Sequence, residues 1–125
     1  MTEERVSLGK RGEEIAVSHL KGLKYKIIEQ NYTCKFGEVD IIAKDKKTLA
    51  FIEVKTRSSL EYGHPGQVVN KRKQHQISKV ALNYINKNDL QNMDARFDVV
   101  AVQISEEGEK VELIKNAFEL SSRYS

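Results

Sequence analysis

A single cysteine, a single proline and no apolar run of membrane-spanning length remove several classes of protein from consideration. Cys34 alone cannot close an intramolecular disulfide or build a cysteine-based zinc site, and it fits a reducing cytoplasm. No histidine lies near it in sequence, so it reads as a strand-end packing residue rather than a nucleophile. The opening MTEERVSLGKRGEE lacks an apolar stretch of signal-peptide length, and nothing approaches the ~20 apolar residues of a membrane span. A cytoplasmic protein without a membrane partner is expected. His19, His64 and His75 are scattered singly, without metal-ligand spacing. An excess of one charge is also missing. Lysine and arginine number 21 against 18 acidic residues, a net charge of +3 with a pI near 8.9. That balance is compatible with a nucleic-acid partner and does not select one.

What remains suits one domain over residues 1–125. Hydrophobic content is 39%, enough for one core, and no linker-like, repeated or low-complexity tract divides the chain. Residues 5–22 carry helical spacing, with Leu8, Gly12, Ile15, Ala16, His19 and Leu20 on one stripe and Gly22 to close the helix. YKIIEQNY (25–32), FGEVDIIAK (36–44) and KTLAFIEVKTR (47–57) read as strands, the last two forming an antiparallel hairpin. SSLEYGHPG is loop. A second helix is expected over about 68–86, where Ile77, Val80, Ala81, Tyr84 and Ile85 recur at helical spacing. Strands follow at 95–104 and 110–118. The order α-β-β-β-α-β-β predicts an α/β domain with a mixed sheet flanked by helices.

The stretch FIEVKTR raises the chemical question. Residues two apart on a strand share a face, so Glu53 and Lys55 share the one that Leu49 and Phe51 fill with apolar bulk. A charge there is costly unless something pairs with it. Pairing the hairpin with Ile42 opposite Phe51 and Lys44 opposite Leu49, across a loop at 45–48, keeps the apolar positions on one face. That register sets Asp40 opposite Glu53, with Lys55 beside them. Two carboxylates side by side repel, so the pair either accommodates a divalent cation or is neutralised by lysine. Magnesium takes oxygen ligands, commonly one or two carboxylates, and keeps waters for a substrate phosphate to displace. Asp40, Glu53 and the main-chain carbonyl of Val54 are the candidate oxygens. Lys55 is then placed to orient an attacking water or to offset charge growing on a phosphate. The plainer reading is a Glu53–Lys55 surface pair on a half-exposed strand.

The assembly G-E-V-D, an apolar hairpin, then I-E-V-K resembles the PD-(D/E)xK, or restriction-endonuclease-like, superfamily. Its core is α-β-β-β-α-β, with Asp on the second strand and E-x-K on the third. More closely, G-K-R-G-E-E, F-G-E-V-D-I-I-A, F-I-E-V-K-T-R and R-F-D-V-V-A-V resemble the uncharacterised bacterial YraN-like family, related to archaeal Holliday-junction resolvases. The resemblance spans residues 9 to about 104. It implies a Mg²⁺-dependent (or Mn²⁺-dependent) phosphodiesterase site at Asp40, Glu53 and Lys55, DNA as partner, and a homodimer placing two sites on branched DNA. The alternative on the same fold is a nucleic-acid-binding protein without turnover. The resemblance also implies a glutamate on the first helix, as catalytic and metal-site residue. At 100° per residue Glu13 lies between Val6, Val17 and Leu20 at the edge of the apolar stripe, whereas Glu14 lies with Lys10, Ser18 and Lys21 on the polar side. Glu13 is therefore chosen, and Glu14 reads as a solvent-facing partner for Lys10. Where the family has Glu-Ala-Val after Gly63 and Pro65, this chain has Gln67, Val68 and Val69; Gln67 is assigned a supporting place.

Lys71, Arg72, Lys73 and His75 open the second helix. They read either as a phosphate-holding cluster or as a solvated charge run, and Lys73 matches a lysine of the family pattern. Arg57, one strand step beyond Lys55, is a candidate backbone contact to DNA. Glu38 shares the face of Asp40 and is given a supporting role. Asp98 is expected to pair with Arg96 rather than to act in catalysis. Tyr25, Tyr32 and Tyr84 read as core or rim.

Overall fold

The computed structural model describes residues 3–58 and 69–120, with side chains from residue 7. Helix α1 spans Glu3–Gly22, then come strands β1 (Lys26–Cys34), β2 (Gly37–Asp45) and β3 (Thr48–Ser58). Helix α2 spans Lys71–Lys87, followed by β4 (Asp94–Ser105) and β5 (Gly108–Phe118). The strands form one sheet in chain order, β1-β2-β3-β4-β5. Neighbours are antiparallel except β3 and β4, which run parallel. Parallel neighbours need a crossover, and α2 lies in it.

The two helices cover opposite faces. On one, Ala16 and Leu20 of α1 pack on Ile41, Ala43, Ala50, Ile52, Val100 and Val102. On the other, Ile77, Val80, Ala81 and Tyr84 of α2 pack on Val39, Ile42, Leu49, Phe51, Phe97 and Val99. Strands β3 and β4 are therefore apolar on both sides, which is why LAFI and VVAV are continuous rather than alternating runs. The result is the expected α/β fold: a mixed sheet flanked by helices, in the restriction-endonuclease-like order with one further strand.

The β2–β3 register is the expected one, with Ile42 opposite Phe51 and Lys44 opposite Leu49. The turn is tighter than the expected loop at 45–48, because Asp45 and Thr48 themselves pair. Lys46, at φ 57°, takes the left-handed conformation that a two-residue turn needs. Helix α2 starts at Lys71 rather than near Val68, and the reason is Asn70. Its extended backbone places Oδ1 to accept the Lys73 N–H at 2.9 Å, an N-cap. Val69 is buried in the α2-side core instead. Cys34 ends β1 half-buried against that core. No helix among the described residues is long and apolar enough to cross a membrane.

Asp98 pairs with Arg96 as expected, and more completely. Arg96 donates from Nε to Oδ1 at 2.9 Å and from Nη2 to Oδ2 at 3.0 Å. It also donates to the Tyr25 hydroxyl at 2.7 Å and to Asp45 at 3.1 Å. The backbone N–H of Asn116 donates to Asp98 at 2.9 Å. Tyr32 donates to Asn83, and Tyr84 is buried, so all three tyrosines serve packing.

Candidate metal and phosphate site

The site begins with a break in strand alternation. Val39 lies on the α2 side of the sheet, yet Ile41, two residues on, lies on the α1 side, and alternation then resumes through Ile42 and Ala43. Asp40 stands at the break. Across from it, between the pairs Gln30–Ile41 and Tyr32–Val39, is Asn31, whose φ of 53° is left-handed. Asparagine tolerates that conformation better than most residues. An irregularity of this kind re-aims a side chain.

The β2–β3 ladder also ends here. Its last pair is Ile41–Ile52, although both strands continue. The carboxylate of Asp40 takes the place of the missing backbone acceptor: the Val54 N–H donates to Asp40 Oδ2 at 2.8 Å. Asp40 and Glu53 are thus brought together where the strands part, rather than as a backbone-paired couple. Glu53 is 5% exposed, and its Oε2 is buried without a hydrogen-bond partner. Lys73 Nζ approaches that oxygen at 3.4 Å as an ion pair, outside hydrogen-bonding geometry.

Helix α1 closes the other wall. A Cβ at Gly12 would collide with the Thr56 side chain, so only glycine lets the helix approach β3 this closely. The close approach brings the next residue, Glu13, over the strand ends. Glu13 lines a cavity of about 470 Å³ together with Gly9, Lys10, Asp40, Val54 and Lys55, while Glu14 is exposed. Lys10 faces this cavity too.

Burial and the neighbouring carboxylate raise two of these acids. Burial pushes the Glu53 carboxyl up to about 8, helped by the hydrogen bond and charge of Asp40 and opposed by Lys73 and Lys55. Glu13 is also raised, first by burial and then by Asp40, while hydrogen bonding from the Asn31 side chain lowers it. Two perturbed acids, each raised in part by Asp40, mark a candidate site around that residue.

The other candidates are spread around this centre. Glu38 is exposed at the rim, accepting from Thr33 Oγ1 at 3.3 Å. It adds to the field that raises Glu13. Arg57 is half-buried further along β3, opposite Gln103 of β4. Lys71 and Arg72 are exposed on the first turn of α2. Lys73, from that same turn, is the one that reaches Glu53. Gln67 lies outside the described residues.

Among the described residues, no group of three or more His, Cys, Asp or Glu side chains is arranged to hold a metal ion by itself. The residues do fit a cation that needs few protein ligands. Glu53 presents a buried oxygen with no hydrogen bond, next to a second carboxylate, and the strands part beside it. Magnesium is commonly bound by one or two carboxylates, with water and phosphate completing its shell. Asp40, Glu53 and the Val54 carbonyl match that donor set better than a closed cage.

Two residues of this site escape sequence patterning. Asn31 carries a faint signal, an asparagine within an otherwise strand-forming run. Lys10 carries none, because a lysine on the polar face of a helix reads as solvated.

Comparison with known proteins places the chain. The profile of uncharacterised protein family UPF0102 matches residues 12–102. The chain belongs to this family. A UPF0102 protein of Syntrophus aciditrophicus is 49% identical over 118 residues, covering 94% of this chain and 93% of its own. One from Geotalea uraniireducens is 53% identical over 116 residues, covering 92% and 91%. The one from Geobacter sulfurreducens is 49% identical over 115 residues, covering 91% and 90%. UPF0102 is the family of the YraN-like resemblance, and its placement in the restriction-endonuclease-like superfamily is consistent with the fold described above.

Proposed function

We propose that this protein is a metal-dependent endonuclease that hydrolyses DNA phosphodiester bonds, with a preference for branched structures. The observation that carries the reading is the buried, unbonded oxygen of Glu53 facing Asp40 where β2 and β3 separate. A solvated surface pair would leave no such oxygen.

Asp40, Glu53 and the Val54 carbonyl would hold Mg²⁺, with Mn²⁺ as a substitute. Bound there, the ion would supply Lewis acidity at the phosphate and make a coordinated water more acidic. Lys55 orients the attacking water for in-line attack and offsets the negative charge growing on the phosphate oxygens. The new bond joins phosphorus to the water oxygen, the bond to the leaving sugar oxygen breaks, and that oxygen takes up a proton. Glu13 assists from the α1 wall. Arg57, Lys71 and Arg72 hold the DNA backbone and so set position rather than sequence. Lys73 balances Glu53 while no cation is present. A homodimer, implied by the resolvase-like resemblance, brings two such sites to a branched substrate.

Purified wild type and Asp40→Asn are incubated with labelled single-stranded, duplex, flap and four-way-junction DNA, with Mg²⁺, Mn²⁺ or EDTA. Cleavage only with metal, lost in the variant, is the expected result. Binding without cleavage under every condition replaces the nuclease with a nucleic-acid-binding protein. Neither binding nor cleavage overturns both readings.

A further inference from the structure

The most exposed aromatic ring among the described residues is Phe36, 38% exposed in the two-residue turn between β1 and β2. Exposed phenylalanines occur singly without meaning, so the surroundings decide. The turn is held against α2. Gly37, at φ 137°, lies so close to the Gln76 side chain that a Cβ would sit 2.6 Å from its Nε2. Phe36 therefore stands over helix α2 on a fixed turn.

Cations surround the ring. Lys35 Nζ is 5.2 Å and Lys79 Nζ 5.8 Å from its centroid. Phe36 and Lys79 line two cavities, one on either side. The first, of about 480 Å³, also holds Arg72, Lys73 and His75. The second, of about 740 Å³, also holds Lys35, Asn83 and Lys87. The described residues lining both are basic, amide or apolar, and none is acidic. From Arg72 to Lys87 the helix rises roughly 22 Å at its usual pitch, enough for a few nucleotides. At one end stands Lys73, which is also the residue that contacts Glu53. The groove thus ends at a residue that touches the candidate site.

A basic groove with an exposed aromatic ring in its lining is the architecture of sequence-tolerant single-strand binding: cations track the phosphates while bases stack on the ring. We propose that Phe36, Lys35, Lys79 and Lys87 form a track for single-stranded DNA, with an unpaired base stacked on Phe36 and the strand leading past Lys73 to Asp40 and Glu53. A continuous duplex cannot offer a base to the ring, so the track selects DNA with an unpaired strand. The inference rests on the nucleic-acid reading above and names its substrate class, but it does not need turnover.

The test is binding of a fluorescent oligothymidine of about a dozen nucleotides, read by anisotropy in EDTA, so that cleavage is not involved. Blunt duplex of the same length is the control. Base stacking on an aromatic is worth about 1–3 kcal/mol, so Phe36→Ala weakens single-strand binding roughly 5- to 150-fold. Duplex binding changes less than twofold, and Phe36→Leu matches the alanine variant because it restores bulk without a ring. Phe36→Tyr binds like wild type. Lys79→Ala lowers the slope of log affinity against log salt by about 0.7, one single-strand phosphate. Melting curves establish that each variant is folded. Equal single-strand binding by wild type and Phe36→Ala overturns the track and leaves the nuclease reading to its own cleavage test. Loss of single-strand and duplex binding in equal measure also overturns it. Selective loss of single-strand binding in a protein that cuts nothing supports the track and removes the nuclease.

Discussion

Two acidic centres lie close together on the sheet, and they are built on opposite terms. In one, Asp98 is fully buried, and its carboxylate accepts three well-formed bonds from Arg96 and the Asn116 backbone N–H. Asp45 joins the same guanidinium and also Lys115. In the other, one residue along β3 from the Ile52 that pairs with Asp98, Glu53 keeps an oxygen with no hydrogen bond beside a second carboxylate. The first centre is closed by donors from two strands, β4 and β5. The second is left open where the strands part. Burial of a charge is tolerable when its lone pairs are satisfied, so the closed centre serves the fold. The open one is destabilising until something binds, which is the physical mark of a ligand site.

The contrast can be broken most forcefully at Asp98. Asp98→Ala breaks a buried ion pair, leaving Arg96 with Asp45 alone and the Asn116 N–H without its acceptor; it costs about 3–5 kcal/mol and appears as a large drop in melting temperature. A small drop would mean that the closed centre is not structural. Glu53→Gln has the reverse sign in EDTA: it removes a buried acid next to Asp40, so the protein melts higher above neutral pH, while DNA cleavage falls at least about 100-fold. A destabilised Glu53→Gln would place the two centres in one class.

The pH dependence separates them further. Folding raises the Glu53 carboxyl from its ordinary 4.5 to about 8, so between those values the folded protein holds a proton that the unfolded chain has released. Its contribution is present below the ordinary value and is lost as pH rises through that interval. Asp45 behaves oppositely. Burial raises its carboxyl, but the Arg96 hydrogen bond and the Lys115 charge outweigh it, and it ends below its ordinary 3.8. Its contribution is present above that value and is lost as pH falls. Metal-free melting temperatures should therefore decline on both flanks. Glu53→Gln removes much of the alkaline decline, and Asp45→Asn much of the acid one.

A smaller effect is expected at Asn31. Asn31→Val must hold a β-branched residue in a left-handed conformation, a strain of order 1–3 kcal/mol, and it loses the hydrogen bond to Glu13. Asn31→Gly keeps the backbone and loses only the bond. If both lower stability alike, the left-handed turn across from Asp40 is not what positions the site. Smallest is Asn70→Ala, the loss of a helix N-cap, about 1 kcal/mol with little change at the carboxylates.

Much of this was legible in the sequence because it follows from periodicity. The element order, the hairpin register and the choice of Glu13 over Glu14 all come from which positions are apolar and how far apart they lie. The break at Asp40 was not legible, since no pattern of period two announces where alternation fails; it depends on Asn31, contributed by a neighbouring strand. Lys73 was grouped with its neighbours as a DNA contact, and only the packing of α2 on the sheet separates it from Lys71 and Arg72. Phe36 went unremarked for the same reason. Beyond its neighbour Lys35, its cations come from α2, more than forty residues away in the chain.

The central claim is that Asp40 and Glu53 form an open cation site. Its most direct test is the melting temperature of wild type, Asp40→Asn and Glu53→Gln at pH 8 as Mn²⁺ is titrated from an EDTA-stripped start. An ion that binds only the folded state raises it with concentration. The account predicts a saturable rise for wild type that both substitutions abolish. No rise in wild type, or an equal rise in all three proteins, would contradict it.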